Sequence, residues 1–320
     1  MGDLVFRILK RAPHARGVML YSGLKNELYF LPYWLDHYRR LGIGEFVILD
    51  DHSDDGSREF LLTQPDCTVL DANAGWGDSI DGASFRSQVR NAVPRHFGMN
   101  RWVLSVDADE FLILPPGFDS LTEFTACLHA HEISCCRALM IDFFPAYIAD
   151  VRSDTQTSPF DLCPYFDAIA VEWPDLAHTP AKMSLDGVRL RLLRRLLATT
   201  QERPDWLRRY RFASVNKEPL LRWSNGAGML DSHTSTVLPR NSVQVALAHF
   251  KFYPTAPEKI ERAVASGVYW NNSVEYQFLG DVYSKLSSVP LAGPSTRTYR
   301  GPADLHAAGL VFCNVSCHAG

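Results

Sequence analysis

Hydrophobic and polar residues alternate in blocks along the first third of the chain, and these blocks predict strands and helices in turn. Residues 17–22, GVMLYS, predict a first strand. EFVILD at 45–50 and CTVLDA at 67–72 are short apolar runs with the length of buried parallel strands. A fourth strand is predicted over Val103 to Val106, within RWVLSVDADEFLIL at 101–114.

Helices are predicted between these strands, over 32–41, from Ser57 onward and over 83–97. In the first of them apolar residues recur at helical spacing, Pro32 suits the first turn, and Gly42 suits a C-terminal cap. Strands that alternate with helices predict an α/β sheet with right-handed crossovers. The ligands of such sheets bind at the carboxyl ends of the strands.

The second half of the chain has a weaker pattern. Residues 143–180 are rich in proline, aspartate and aromatic residues, so loops and short elements are expected there. VQVALAHF at 243–250 predicts a strand, and the segments 256–267 and 273–286 predict two helices that cover the sheet.

Composition and charge narrow the class of protein. With 320 residues, 46% of them hydrophobic, the chain is expected to form one large domain or two closely joined ones. A net charge of −4 argues against a general nucleic-acid or membrane-surface binder, and no apolar run approaches the roughly 20 residues that span a bilayer. The N-terminus lacks the apolar stretch and cleavage site of a signal peptide. Seven cysteines without CxxC spacing favour reduced thiols, so a cytoplasmic location is expected.

Three carboxylates follow the fourth predicted strand: Asp107, Asp109 and Glu110. Residues i and i+2 of an extended segment project to the same side, so Asp107 and Asp109 can converge on one point. Two such carboxylates need a compensating cation, and the usual one is a divalent ion that prefers oxygen ligands, Mn²⁺ or Mg²⁺. The pair therefore predicts a metal–diphosphate site. The alternative is that Asp107 caps the next turn and that the other two carboxylates are solvated.

A second acidic segment, DDHSDDGS at 50–57, ends the second predicted strand. Asp, Ser and Gly are ordinary turn formers, so a turn is expected here. A carboxylate at a strand end can also accept hydrogen bonds from a uracil imide or a ribose hydroxyl, and the N-terminus of the following helix favours an anion.

Together these segments resemble a known family. KNELYFLPYWLDHYRRLGIGEFVILDDHSDDGS at 25–57, followed by WVLSVDADEFL at 102–112, resembles the family 2 glycosyltransferases, most closely a branch with the same KNE, D..S.D.S and DADEF motifs. The resemblance is dense over 17–114 and returns weakly in NKEPLLRW, DSHTS and ALAHFKF.

The resemblance implies the GT-A fold, which is an α/β fold with a Rossmann-like, mainly parallel sheet flanked by helices. It divides the chain into an N-terminal extension (1–16), a half that binds a nucleotide sugar (17–142) and an acceptor-side half with C-terminal helices (143–320). The implied donor is a nucleotide-diphosphate sugar, held with Mn²⁺ or Mg²⁺. The implied acceptor is a hydroxyl group of a glycan or another molecule, as in the building of a polysaccharide.

The resemblance also implies roles for individual residues on the donor side. Asp50 and Asp51 lie near the base and ribose, with Glu27 close to the same pocket. The metal and phosphate residues that it implies are Asp107, Asp109, His249 and Lys251. In addition, Trp76 in the glycine-flanked GWGD is a candidate for a ring that lines the cleft.

Sugar transfer to a hydroxyl group requires a base that removes the acceptor proton. Family 2 enzymes typically invert the anomeric centre and use a carboxylate of the acceptor half for this purpose. Glu218 in NKEPLLR and Asp231 beside His233 stand where the resemblance returns, so they are the candidates.

Three rival functions are considered. A DxD phosphatase of the haloacid dehalogenase type carries its motif near the N-terminus, whereas DADE lies beyond residue 100. A sugar nucleotidyltransferase requires an N-terminal glycine-rich loop with Lys or Arg, which GVMLYSGLKNE matches poorly. The third is a module of the same fold that binds a nucleotide sugar or glycan without catalysis; the intact Asp107 and Asp109 argue against it.

Overall fold

The computed structural model describes residues 6–151, 155–169, 171–172, 182–183, 187–200, 202–210 and 215–316. The strands in these ranges are β1 (Phe6–Lys10), β2 (Met19–Leu24), β3 (Phe46–Asp50), β4 (Cys67–Ala72), β5 (Ser79–Ile80), β6 (Ala83–Ser84), β7 (Trp102–Ser105), β8 (Glu110–Ile113), β9 (Cys135–Phe144), β10 (Tyr165–Asp167), β11 (Val171–Glu172), β12 (Lys182–Met183), β13 (Asn216–Arg222), β14 (Val243–Phe250), β15 (Thr296–Thr298) and β16 (Phe312–Cys313).

The α-helices in the same ranges are α1 (Leu31–Arg40), α2 (Ser57–Thr63), α3 (Phe85–Phe97), α4 (Leu121–Ala130), α5 (Pro159–Leu162), α6 (Val188–Thr199), α7 (Ala256–Ser266), α8 (Trp270–Lys285) and α9 (Pro302–Ala307). Short 3₁₀ helices occupy Ile148–Asp150 and Asp205–Arg208. The first turn of α8 departs from helical geometry, because Asn271, Asn272 and Ser273 all have positive φ.

Twelve of the described strands form one sheet, in the order β1-β4-β3-β2-β7-β13-β9-β10-β15, with β14 beside β9 and paired also to β8 and β16. Strands β4, β3, β2 and β7 run parallel, and so do β9 and β14. The other pairs of this sheet are antiparallel. The predicted class, α/β with a Rossmann-like sheet flanked by helices, is therefore confirmed.

Two antiparallel insertions bring distant residues to the carboxyl edge of the parallel strands. Strand β13 lies between β7 and β9 and is antiparallel to both, so Asn216 and Lys217 at its start lie past the carboxyl end of β7 and opposite the middle of β9. Strand β8 is antiparallel to β14, so Glu110 at its start lies opposite His249 near the end of β14.

Both faces of the parallel strands are buried, as expected for strands joined by helical crossovers. Successive residues along a strand point to opposite faces. Leu20 and Ile48 accordingly belong to the core that α1 covers with Trp34. The residues next to them along the strands, Met19, Tyr21, Val47 and Leu49, belong to a second core, which α3 covers with Phe85, Val89 and Val93. The two cores hold the parallel strands in place behind the carboxyl edge of the sheet.

The pattern-based predictions hold for most of the described elements. The strands predicted at 17–22, 45–50, 67–72, 103–106 and 243–250 correspond to β2, β3, β4, β7 and β14, and the helices predicted at 32–41, from Ser57, 83–97, 256–267 and 273–286 correspond to α1, α2, α3, α7 and α8. The described part of 143–180 contains loops and short elements, as expected. The pattern did not predict β1, which pairs antiparallel with β4 and lies within the segment 1–16.

Cysteine chemistry differs from the prediction at one position. Cys67, Cys135, Cys136, Cys163 and Cys313 are free thiols, but Cys127 is disulfide-bonded, so the prediction that all cysteines are reduced is wrong there. Cys317 lies outside the described residues. A disulfide is typical of an oxidising compartment, so cysteine usage no longer supports the cytoplasmic prediction.

No helix in the described part of the chain has the length and apolar character needed to cross a membrane.

Candidate functional site

A cavity of about 340 Å³ lies at the carboxyl edge of β2 and β7. The carboxylates that line it are Glu27, Asp107, Asp109, Glu110 and Glu275, and the cations are Lys25, Arg86, Arg90, Arg189, Lys217, Lys251 and Lys259. Seven cations against five carboxylates leave a formal charge of +2, with the histidines counted as neutral. An adjoining cavity of about 890 Å³ shares Lys25, Trp76, Lys259 and Tyr269 with the first.

The acidic turn between β7 and β8 presents its three carboxylates differently. The side chain of Asp107 is 63% exposed, that of Asp109 is 11% exposed, and that of Glu110 is 1% exposed. The Glu110 carboxylate also accepts a 2.9 Å hydrogen bond from the backbone N–H of Asp107, which closes the turn. Asp107 therefore reaches into the cavity while Glu110 supports it from below.

Each carboxylate of the turn is paired with a lysine. Lys217 Nζ donates to both oxygens of Glu110, at 2.6 and 2.8 Å, and to Asp107 Oδ2 at 3.1 Å. Lys251 Nζ lies 2.9 Å from Asp109 Oδ2. Lys217 is placed here by the antiparallel direction of β13, and Lys251 directly follows β14.

These ion pairs dominate the electrostatics of the turn. Burial alone would raise the pKa of Asp109, but the charges of Lys251 and His249 outweigh burial and hold that pKa below its usual range. Burial likewise opposes charging of the two lysines, yet the neighbouring carboxylates raise the pKa of both Lys217 and Lys251. Burial raises the pKa of Glu110, and the charge of Lys217 opposes this shift. Asp109, Lys217 and Lys251 are therefore stabilised in their charged forms.

Glu27 lies on the other side of the cavity, where its carboxylate pairs with Lys259. Burial raises the pKa of Glu27 to about 7, and the charge of Lys259 opposes this shift. Glu27 thus lines the smaller cavity but not the larger one, and its predicted place near the base and ribose stays a prediction.

His249 belongs to a buried network rather than standing alone. Its Nδ1 lies 3.0 Å from Asp142 Oδ1, and the register of the parallel pair β14–β9 places the two residues side by side. Arg189 donates to both oxygens of Asp142 at 2.6 Å and to Glu275 at 2.8 Å. The Nε2 atom of His249 lies 3.6 Å from Asp109 Oδ2.

The fit of this turn to a divalent metal can be judged from its neighbours. Among the described residues, no three His, Cys, Asp or Glu side chains are grouped so that they could hold a metal ion. One oxygen of each aspartate, Oδ2, already contacts a lysine: Lys217 for Asp107 and Lys251 for Asp109. The residues as arranged do not fit the expected metal site, and the need for Mn²⁺ or Mg²⁺ stays a prediction.

Two arginines that the sequence analysis did not single out also line the cavity. Arg86 and Arg90 are four residues apart on α3 and therefore share one face of the helix. The guanidinium carbon of Arg86 lies 5.2 Å from the ring centroid of Trp76 and 4.9 Å from that of Tyr269. Their i, i+4 spacing is the one sequence signal, and it is shared with many surface arginines.

Trp76 and the acidic segment after β3 lie where the two cavities meet. Gly23 on β2 permits the close approach of Trp76, because a Cβ atom there would lie 2.9 Å from the indole ring. Asp51 accepts a 3.3 Å hydrogen bond from the backbone N–H of Trp76 and lines the larger cavity. Asp50 instead accepts a 2.6 Å hydrogen bond from Arg58 Nε. It is fully buried and lines neither cavity.

The two predicted bases, Glu218 and Asp231, lie outside the lining of both cavities. Glu218 accepts a 2.6 Å hydrogen bond from the backbone N–H of Ser235. Asp231 is exposed and accepts from the backbone N–H groups of His233 at 2.6 Å and Thr234 at 2.9 Å. Both carboxylates thus shape the 231–235 loop, and their predicted role as base stays a prediction.

His233, at the centre of this loop, does line the smaller cavity. Its Nδ1 lies 2.7 Å from the backbone carbonyl oxygen of Asn216, which only accepts, so Nδ1 carries the proton and Nε2 has a free lone pair. Burial, together with the charge of Lys217, lowers the pKa of His233. A neutral imidazole with a fixed tautomer is suited to accept a proton.

The fold and these contacts define an α/β protein with a cationic cavity at the carboxyl edge of its parallel strands. Such cavities bind anionic ligands in open α/β sheets.

Comparison with known proteins adds fold-level neighbours only. No protein-family model matches the chain, and no curated protein sequence matches it significantly. Among solved structures, it is similar to a UDP-glucose pyrophosphorylase complexed with UDP-glucose, with 12% identity and a TM-score of 0.25 over 52% of this chain and 66% of that one. It is also similar to a UDP-glucose pyrophosphorylase from Acinetobacter baumanii, with 8% identity and a TM-score of 0.27 over 86% and 84% of the two chains.

An apo UDP-glucose pyrophosphorylase matches at 9% identity and a TM-score of 0.23, over 50% of this chain and 66% of that one. The chain thus spans 66% of the length of two of these three neighbours. TM-scores at this level carry no functional argument.

Proposed function

We propose that the protein is a glycosyltransferase that moves a sugar from a nucleotide-diphosphate donor to a hydroxyl acceptor, with inversion at the anomeric centre. The carrying observation is the cationic cavity at the carboxyl edge of β2 and β7, into which the DADE turn, Trp76 and His233 all project. The motif resemblance over 17–114 supports the same assignment from the sequence.

In this proposal the two cavities bind different parts of the donor. The diphosphate suits the smaller cavity, whose lining has a formal charge of +2. The nucleoside suits the larger cavity, where Trp76 offers a ring for stacking and Asp51 offers a carboxylate that accepts hydrogen bonds from a base or ribose. With the nucleoside in the larger cavity and the diphosphate beside the shared residues, the proposed position of the sugar is in the smaller cavity, which His233 lines.

Catalysis in this arrangement requires charge stabilisation and proton removal. Negative charge grows on the leaving diphosphate as the bond to the anomeric carbon breaks, and cations fixed in place stabilise it without reorganisation. We propose that His233 Nε2 accepts the proton of the attacking hydroxyl group. His233 is preferred to Glu218 and Asp231 because it lines the cavity and they do not.

The function is tested with a panel of nucleotide sugars in a thermal-shift assay, followed by product analysis. One donor is expected to raise the melting temperature by mass action and to release its nucleoside diphosphate when a suitable acceptor is added. The anomeric configuration of the product, read by NMR, is expected to be inverted. If a donor binds and no acceptor from a broad glycan panel is glycosylated, the non-catalytic binding module replaces this proposal.

A further inference from the structure

The lysine and arginine side chains of the smaller cavity outnumber its carboxylates. The formal charge of +2 balances the two negative charges of the diphosphate in a nucleotide sugar before any ion is added. A divalent metal would add further positive charge to a cavity that is already cationic.

The position that a bridging metal would take is adjacent to two ammonium groups. Lys217 Nζ and Lys251 Nζ lie 3.1 and 2.9 Å from the Oδ2 atoms of Asp107 and Asp109. The two lysine side chains are 6% and 18% exposed, and Asp109 is 11% exposed, whereas Asp107 is 63% exposed. A metal that bridges the two aspartates would have to displace Lys251 from the largely buried Asp109, which opposes its binding.

The two arginines of α3 line the cavity without a contact ion pair, although Asp107 and Asp231 lie near enough to Arg90 to interact with its charge. Among the described residues, neither Arg86 nor Arg90 makes a hydrogen bond or an ion pair, although both line the cavity. Arg86 is held by the rings of Trp76 and Tyr269, which orient its guanidinium group without using its N–H donors. A planar group with free donors matches phosphate oxygens.

We propose that the protein binds the diphosphate of its donor through its own cations, with Arg86 and Arg90 as direct phosphate ligands and Lys217 and Lys251 in place of a divalent metal. Donor binding accordingly needs no metal ion. This proposal rests on the proposed function, because it names the phosphate ligands of the same site.

Isothermal titration of the full chain with inorganic pyrophosphate tests the proposal. Pyrophosphate is expected to bind in excess chelator, and the affinity is not expected to rise when Mg²⁺ replaces the chelator, because Mg²⁺ itself neutralises part of the charge of pyrophosphate. Arg90→Gln is expected to weaken binding by about tenfold to a hundredfold, the usual loss for one hydrogen bond to a charged group. Arg90→Lys retains the charge and is expected to recover part of the affinity.

Arg95→Gln is the matched control, since Arg95 is exposed on the same helix and lines neither cavity. It is expected to bind pyrophosphate like the wild type. Thermal melts of all variants confirm that they are folded. Binding that occurs only with Mg²⁺, or an Arg90→Gln protein that binds like the wild type, overturns the proposal.

Parallel titrations with UDP, GDP and ADP separate this proposal from the proposed function. Nucleotides that bind only with Mg²⁺ leave the glycosyltransferase assignment standing and overturn the metal-free site. Pyrophosphate that binds in chelator while no nucleoside diphosphate binds in either condition supports the anion site and overturns the assignment. Absence of binding by every probe overturns both.

Discussion

At the scale of single residues, the proposed function depends on a few side chains whose chemistry is set by their partners. His233 is the clearest case. Its tautomer is fixed by the carbonyl of Asn216, and two carboxylates hold the loop that carries it. Its geometry, and not its residue type alone, makes it the proposed base.

His233→Gln is expected to lower kcat by about 10² to 10⁴, the usual contribution of a general base. The affinity for the donor should change little, because glutamine retains the size and polarity of the side chain. Steady-state kinetics and a binding titration together make this measurement. The wild-type rate should also fall at a pH below about 6.5, the ordinary pKa of histidine. The pKa of His233 is lowered, so its ring stays neutral above that pH and becomes protonated only below it.

His96→Gln is the matched control for this prediction, because His96 is exposed at the end of α3 and lines neither cavity. If His233→Gln keeps the wild-type kcat, or if its loss appears entirely in donor affinity, His233 is not the base. Glu218 and Asp231 then return as candidates.

At the scale of elements, the site is held together by the direction of its strands. Strand β13 runs against β7 and β9, and strand β8 runs against β14, so residues at the starts of β13 and β8 meet at one edge. The buried pair formed by Lys217 and Glu110 links these two strands. This pair supports the position of Asp107 in the cavity.

Lys217→Met is expected to lower the free energy of unfolding by about 3 to 5 kcal/mol, because it leaves the buried Glu110 carboxylate without its cation. The double variant Lys217→Met, Glu110→Gln should be less destabilised than Lys217→Met alone. Chemical denaturation of the single and double variants measures this coupling. Additive losses would show that the pair contributes nothing as a unit.

At the scale of the whole molecule, the stability should depend on pH through buried carboxylates that are charged only because of their partners. Asp142 is an example. Burial alone would raise the pKa of Asp142, but Arg189 and His249 lower it below the usual range. An acid whose pKa is lower in the folded state contributes stability above its unfolded pKa and loses that contribution as the pH falls.

Asp142→Asn is therefore expected to destabilise the protein strongly at pH 7, and the difference from the wild type should shrink below about pH 4, where the unfolded aspartate protonates. Denaturant melts at several pH values measure this difference. Asp36→Asn serves as a control, since Asp36 is exposed and pairs with Arg40 on the surface of α1. A pH-independent loss for Asp142→Asn would contradict the linkage.

The elements of the parallel half were predictable because their signals are local. The five consecutive residues of β3, all buried, predict a strand covered on both faces. The spacing of Leu31, Trp34, Leu35 and Tyr38 predicts a helix with one buried face. Strand β1 was missed because its pattern is short and it lies at the edge of the sheet, where only pairing with β4 defines it.

The sequence by itself determined the alternation of strands and helices and the position of the acidic turn at a strand end, because hydrophobic period and turn chemistry are encoded over a few residues. Only the tertiary structure decided what neutralises that turn. Lys217 stands 110 residues from Asp107 and reaches it through the antiparallel insertion of β13, which no local pattern specifies. The same long-range pairing sets His233 in the lining of the cavity, whereas Glu218 and Asp231 lie outside that lining, because strand order and direction, rather than residue type, decide which side chains share an edge of the sheet.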